Sequence, residues 1–261
     1  MPHTVRFTCA GRTDVGVVRS GNEDAYLMVP DNGVFIVADG MGGHAAGEVA
    51  SDMTVRIVGQ ALEGVAGRPD ADAAEIIKRS IVEANGAIFQ RTLVEQDKRG
   101  MGTTATAMVI NGPRYLIGQV GDSRAYVMRD SRLFQITKDH SYVQEQVDAG
   151  YLTPEQARTH PYSNVITRCV GANSHVAPDI YVGALRSDDI FLLASDGLTG
   201  MLEDSDLLAL MTGGRSPAEL VDTLVTEANR RGGLDNVTVI VVRIDSVENS
   251  SDPAEADAGA A

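Results

Sequence analysis

Asp39 and Gly40 follow the unbroken apolar run Val34–Ala38, and Asp196 and Gly197 stand just beyond a second run, Ile190–Ala194. Asp122 lies in VGDSRAY, at a turn between two expected strands, and Asp235 lies in GGLDNVTVIVV, ahead of a third apolar run. Glu23 and Asp24 lie in SGNEDAY, also just before a strand. A carboxylate at the mouth of an apolar core is unfavourable unless something positive meets it. Few basic residues lie near these motifs, so hard, oxygen-bound cations, Mn²⁺ or Mg²⁺, are the natural partners. The neighbouring glycines leave room for a backbone carbonyl or a water to reach an ion. Several carboxylates suggest two ions, and a pair about 3.5–4 Å apart can share a bridging water and acidify it. Taken singly, each Asp-Gly is also an ordinary turn pair, and spacing alone does not show that the acids converge.

Arg19 precedes Glu23 by four residues in VVRSGNED. Its planar fork could hold two oxygens of a phosphate; equally, it could pair on the surface with Glu23 or Asp24. His44, at the end of DGMGGH, could donate a proton near the metals or cap the helix that follows. His140 in KDHS reads as local, with Asp139 as N-cap and His140 in the first turn. Neither the P-loop GxxxxGK[ST] nor a twelve-residue EF-hand ladder is present.

These residues need a scaffold. Alternation predicts a strand over Thr4–Ala10 and a hairpin of Ala25–Val29 with Val34–Ala38, turned by Pro30–Gly33. Ala46, Ala50, Met53 and Ile57 mark one amphipathic helix, and Ile77, Ile81, Ala84 and Ile88 a second. Strands follow at Thr103–Ile110, Arg114–Val120, Arg124–Met128 and Leu133–Ile136, with short connections that imply antiparallel neighbours. A helix over Ser141–Ala149 stops at Gly150, and capping boxes at Thr153 and Ser216 open two more. The stretch from Gly150 to about Ala177 has weak periodicity and reads as an irregular flap. Strands return at Ile180–Gly183 and Ile190–Ala194, and Asn236–Ile244, apolar on both faces, reads as a central strand. Strands in runs, flanked by helices, make the class α+β with antiparallel sheets.

The chain of 261 residues has 22 Lys plus Arg against 36 Asp plus Glu, a net charge of −14. That balance argues against an electrostatic grip on nucleic acid or anionic lipid. Cys9 and Cys169 form no metal spacing and no disulfide framework, so both are expected as buried thiols in a reducing compartment. No signal peptide and no membrane-length apolar run is evident, so the expected location is cytoplasmic. Residues 1–245 are expected to form one catalytic domain, and 246–261, polar and acidic, a disordered tail.

The motifs VRSGNEDAY, FIVADGMGGH, GMGTTATAMVI, VGDSRAY, LLASDGL and GGLDNVTVIVV occur in the order found in the type-2C metal-dependent protein phosphatases, which the chain resembles from about Thr4 to Ile244, in their compact bacterial form. The resemblance implies two stacked antiparallel β-sheets flanked by helices, with metals in a cleft at one end. It implies hydrolysis of phosphoserine and phosphothreonine on proteins by a metal-activated water, opposing a serine/threonine kinase, in a monomer. Carried over by motif, Asp39 would bridge two tightly held ions, the Gly40 carbonyl and Glu23 would serve one, and Asp196 and Asp235 the other. Asp122 and Asp196 match the ligands of a weaker third ion, which Ser163 or a neighbouring carbonyl of the flap would meet opposite Asp122, and Arg19 would bind the substrate phosphate. Many eukaryotic members carry a His directly after the bridging Asp-Gly; here Met41 stands there, which leaves the general acid open between His44 and water.

Overall fold

The alternation of Thr4–Ala10 belongs to a longer strand, β1 (His3–Asp14). The computed structural model describes residues 3–42 and 46–249, so His44 lies outside the described residues. After β1 come β2 (Asp24–Val29) and β3 (Val34–Met41), paired as the expected hairpin through a 3₁₀ turn at Pro30–Asn32, with Gly33 at φ +64°. Helices α1 (Ala46–Ala61) and α2 (Asp70–Val94) follow. The strand expected over Thr103–Ile110 is split at Thr104. Its first piece, β4 (Gly102–Thr103), pairs with the end of β3, and its second, β5 (Ala105–Asn111), pairs with the body of β3. The chain then forms β6 (Arg114–Val120), β7 (Arg124–Arg129) and β8 (Arg132–Gln135). Helices α3 (Tyr142–Asp148) and α4 (Pro154–Arg158) precede β9 (Asp179–Ala184) and β10 (Ile190–Ala194). Helices α5 (Asp196–Thr199), α6 (Asp204–Met211) and α7 (Pro217–Arg230) lead to β11 (Val237–Asn249).

All pairings are antiparallel. One sheet runs β1-β11-β10-β7-β8; the other runs β2-β3-β5-β6-β9, with β4 added beside β3. Three buried clusters explain why β3, β10 and β11 read as unbroken apolar runs. Val34, Ile36 and Ala38 of β3 pack under α1 and α2, while Phe35 and Val37 face the other sheet. In β10 and β11, Leu192, Val239 and Val241 pack under α6 and α7, while Phe191, Leu193, Ile240 and Val242 face inward. Both faces of each strand are therefore covered, and period-2 polarity is absent. Full burial of such side chains contributes about 1.5–3 kcal/mol each, so these strands make a stiff support for whatever their ends carry.

Four expectations about the elements need correction. The last strand continues past Ile244: Ser246, Val247, Glu248 and Asn249 pair with Arg6, Val5, Thr4 and His3, after a one-residue slip at Asp245. Val247 packs on the inter-sheet core beside Val5 and Phe7. Composition cannot report a pairing with the far end of the chain, so four residues assigned to the tail are strand; 250–261 lie outside the described residues. Asp139 is not an N-cap; Ser141 is, accepting a hydrogen bond from the Gln144 amide. The cysteines are only half-buried. Finally, α5 and α6 had no sequence signal. Helix α6 opens on Glu203, with Asp206 accepting from the Glu203 amide at 3.0 Å, an acid pair in place of the usual Ser or Thr box. The boxes expected at Thr153 and Ser216 are both formed.

Candidate metal centre

Strand register alone gathers the acids. Asp24 opens β2 opposite Asp39 near the end of β3, and the start of β5 lies beside the same end. Val120 at the end of β6 pairs with Ala105, so the Asp122 turn is at that end too. In the other sheet Ala194 pairs with both Arg124 and Val239, which puts Asp196 and Asp235 level with the start of β7 and β11. Asp39, Asp122, Asp196, Asp235, Asp24 and Glu23 thus share one end of the sandwich.

The electrostatics agree. Burial holds Asp39 well above the ordinary carboxylate range, and Asp24, Asp196 and Asp122 push it further. Burial also raises Asp24, to about 7, with Asp196 and Asp235 adding to it. Asp122 is raised to about 8 by burial and then by Asp196 and Asp139. Burial and the nearby Asp235 raise Asp196, partly opposed by Arg19 and Arg124. Carboxylates that raise one another and have little positive charge among them form a site that attracts cations.

The supporting contacts fix the backbone of each acid. Thr104 clamps Asp39 from both sides: its amide donates to Asp39 O, and its Oγ1 accepts from Asp39 N, each at 2.9 Å. Thr103 Oγ1 adds a third bond, to Asp39 O, at 2.9 Å. Ser195 Oγ donates to Asp24 Oδ2 at 2.8 Å and accepts from the Thr238 amide at 2.9 Å. Asn236 ties three segments together, accepting from Glu23 N at 2.8 Å and donating to Val15 O and Gly21 O, each at 2.9 Å. Glycine is required where α1 meets β3. A Cβ at Gly40 would overlap the Gly47 and Glu23 carbonyl oxygens, and one at Gly47 would lie 2.8 Å from the Glu23 carboxyl carbon. The Glu23 carboxylate and the end of β3 at Gly40 are thereby pressed together.

Two observations bear on whether ions fit. Asp196 Oδ1 is buried with no hydrogen-bond partner among the described residues, an unfavourable state for a carboxylate oxygen that a cation would relieve. Among the described residues no three His, Cys, Asp or Glu side chains already enclose an ion-sized position. Magnesium-like ions take only one or two carboxylates each and fill the rest of their coordination with water, so a looser ring of acids suits them. The donors are oxygen throughout, which matches Mn²⁺ or Mg²⁺ and not a soft metal.

A family model described as protein phosphatase 2C matches residues 18–225. The chain belongs to this family. It is 37% identical over 245 residues to the serine/threonine phosphatase Stp of Listeria monocytogenes, covering 92% of this chain and 97% of the relative. The crystal structure of the Mycobacterium tuberculosis serine/threonine phosphatase PstP/Ppp superposes with a TM-score of 0.86 at 38% identity, covering 93% of this chain and all of that one. A structure of the catalytic domain of PstP in complex with two manganese ions is similarly close, with a TM-score of 0.84 at 37% identity over 93% of this chain and 100% of that one.

Against the protein phosphatase 2C pattern, the geometry adds residues that sequence reasoning missed. Asp24 was noted only as a strand-start acid, yet it is buried beside Asp39. Arg124 forms a two-pronged pair with buried Asp139, at 3.0 Å from Nε and 2.7 Å from Nη2, and also donates to Tyr126 Oη at 3.0 Å. His140 braces the Asp122 turn: its amide donates to Gly121 O at 2.9 Å, and its Nδ1 accepts from Gly121 N at 3.0 Å. Its Nε2 meets Asp179 at 3.0 Å, and Arg168 donates to the other Asp179 oxygen at 3.1 Å. The 150–177 segment therefore reaches the Asp122 turn through Thr167, whose amide bonds His140 O, and through Arg168. Ser163 is exposed, and its amide bonds His160 O. Arg19 pairs with neither Glu23 nor Asp24; its Nη2 donates to Asp235 Oδ2 at 2.7 Å, and half of its side chain is open to solvent. The signal available for Arg124 and His140 was the motif SRAY with KDHS, whose partnership needs the β7–β8 pairing to be visible.

Proposed function

We propose that this chain hydrolyses phosphoserine and phosphothreonine on proteins, using two tightly held Mn²⁺ or Mg²⁺ ions. The observation that carries the reading is the cluster of mutually raised aspartates at one end of the sandwich, one of them with a buried oxygen unpartnered among the described residues, in a chain of the phosphatase 2C family. Asp39 would sit between the two ions, with Gly40 O and Glu23 on one side and Asp196 and Asp235 on the other. Asp122, with Asp196, would hold a weaker third. When bound, the ions supply the positive field that lowers the proton affinity of water and draws in a phosphoryl group.

The protein's own residues do the rest. Thr103 and Thr104 hold the Asp39 backbone against reorientation, so the point from which its side chain projects is set before any ligand arrives. Ser195 and Asn236 do the same for Asp24 and for the Glu23 and Asp235 loops. Among the described residues Arg19 is held near the cluster by one contact, with Asp235, which leaves its other N–H groups available to receive phosphate oxygens. An arginine kept close but incompletely paired loses little on exchanging one anion for another. The fuller form of the proposal is a monomeric, cytoplasmic enzyme that opposes a serine/threonine kinase. It is compatible with the net charge of −14 and with the finding that, among the described residues, no helix is long and apolar enough to cross a membrane. The test is phosphate release from a phosphothreonine peptide, with Mn²⁺ and then with excess chelator. Turnover that appears with Mn²⁺ and ends with chelator supports the proposal; equal turnover in both, with bound metal excluded by elemental analysis, overturns it.

A further inference from the structure

One margin of the acid cluster is apolar. Val17 and Val18 are 66% and 62% exposed, and Leu234 is 57% exposed. Scattered exposed apolar residues are ordinary. These three come from two loops that are locked to each other. The amides of Val17 and Val18 both donate to Gly233 O, at 2.8 and 3.2 Å. Asn236 Nδ2 holds Val15 O, and Asp14 Oδ1 accepts from the Gly16 amide and from Asn229 Nδ2, each at 3.0 Å. Gly16, at φ +80°, lies so close to the second loop that a side chain there would overlap Asp235 O. The backbone under the three side chains is therefore held in place.

Their position gives them a use. Val18 precedes Arg19, Leu234 precedes Asp235, and Arg19 and Asp235 are bonded at 2.7 Å. An extended peptide advances roughly 3.3 Å per residue. A phosphoresidue whose phosphate rests on Arg19 would bring the side chain one or two positions away onto these residues. From the reading of Arg19 as phosphate receptor, we infer that Val17, Val18 and Leu234 form a shelf for an apolar side chain of the substrate, adjacent to the phosphoserine or phosphothreonine. A substrate carboxylate landing there would lose water without gaining a partner, and the chain's net charge of −14 would repel it as well. A membrane is the poorer occupant, because the same charge repels anionic headgroups.

The test uses the whole chain, loaded with Mn²⁺, and phosphothreonine peptides that carry Leu, Ala, Asp or Lys in turn at each of the two positions on either side of the phosphothreonine. An aryl phosphate serves as the control. The wild type is expected to favour Leu over Asp at one of these positions by roughly tenfold in kcat/KM, mostly through KM. In Val17→Ser/Leu234→Ser the preference should fall to about twofold or less, with aryl phosphate hydrolysis unchanged. A Val17→Ile/Leu234→Met variant, which keeps the shelf apolar, should retain the preference. No Leu preference in the wild type, or a preference that survives the double serine variant, overturns the shelf. Absence of hydrolysis on every substrate overturns the phosphatase reading itself, and the shelf with it.

Discussion

Stripped of metal, the protein should lose stability as pH rises from 5 to 8. Asp24 is raised from the ordinary 3.8 to about 7, Asp122 to about 8, and Asp39 and Asp196 are raised as well. In this window the folded chain keeps protons that the unfolded chain has released, so stability falls with pH, by about 1.4 kcal/mol per unit for each retained proton. The direction is opposite to that of salt-bridged carboxylates, whose stabilisation is lost only as pH falls. For Asp24 alone the part of this shift that falls inside the window, from pH 5 to about 7, corresponds to a loss on the order of 3 kcal/mol. The four shifts arise partly from the same mutual repulsion, so they do not sum. In a domain of this size that loss lowers Tm by about 6–12 °C. Excess Mn²⁺ should reverse it, by about 2.7 kcal/mol per site at a hundredfold excess over Kd. The assay is a thermal melt at pH 5, 6, 7 and 8, in chelator and in Mn²⁺, with Asp39→Asn and Asp122→Asn for comparison. The variants should flatten the chelator profile. A Tm in chelator that is level or rising between pH 5 and 8, or one at pH 8 that Mn²⁺ does not raise, would refute the reasoning.

Arg19→Ala should weaken inhibition by free phosphate by roughly 1.5–3 kcal/mol, and Arg19→Lys should recover only part of it because Lys lacks the fork; unchanged phosphate affinity would remove Arg19 from the site. Arg124→Ala should cost about 3–5 kcal/mol in denaturant unfolding, because it strands the buried Asp139 carboxylate, whereas Arg124→Ala with Asp139→Ala should recover much of that; additive losses would count against the pair. Gly47→Ala should lower both Tm and metal affinity, because its Cβ would sit 2.8 Å from the Glu23 carboxyl carbon; a variant with unchanged metal affinity would show that Glu23 is not held against the end of β3.

The sandwich was legible because it buries both faces of β3, β10 and β11, and unbroken apolar runs are a signal that survives without any knowledge of partners. The strand-end acids were legible for the same reason: Asp39 and Asp196 interrupt a pattern. The family motifs then named the set. Residues whose role depends on a distant partner were not legible. Asp24 reads as one strand-start acid among several until β2 is laid beside β3 and Ser195 reaches it from the other sheet. Asp139 looks like a helix cap until β7 and β8 pair and bring Arg124 to it. Ser246–Asn249 look like tail until β1 supplies their hydrogen bonds. Two of these deciding contacts, Ser195 with Asp24 and β1 with β11, span most of the chain, while Arg124 and Asp139 are 15 residues apart and meet only once β7 and β8 pair; in each case local composition pointed to the more common local use of the residue.

Bound manganese and phosphate release, measured on the same samples of wild type and Asp39→Asn, test most directly whether the strand-end aspartates make this chain a metal-dependent phosphatase. The wild type should bind two tight ions per chain and release phosphate from a phosphothreonine peptide only when they are bound. Asp39→Asn should remain folded, bind fewer ions and lose at least about a hundredfold in turnover. An Asp39→Asn protein that keeps full turnover at an unchanged metal count would contradict the assignment at its centre.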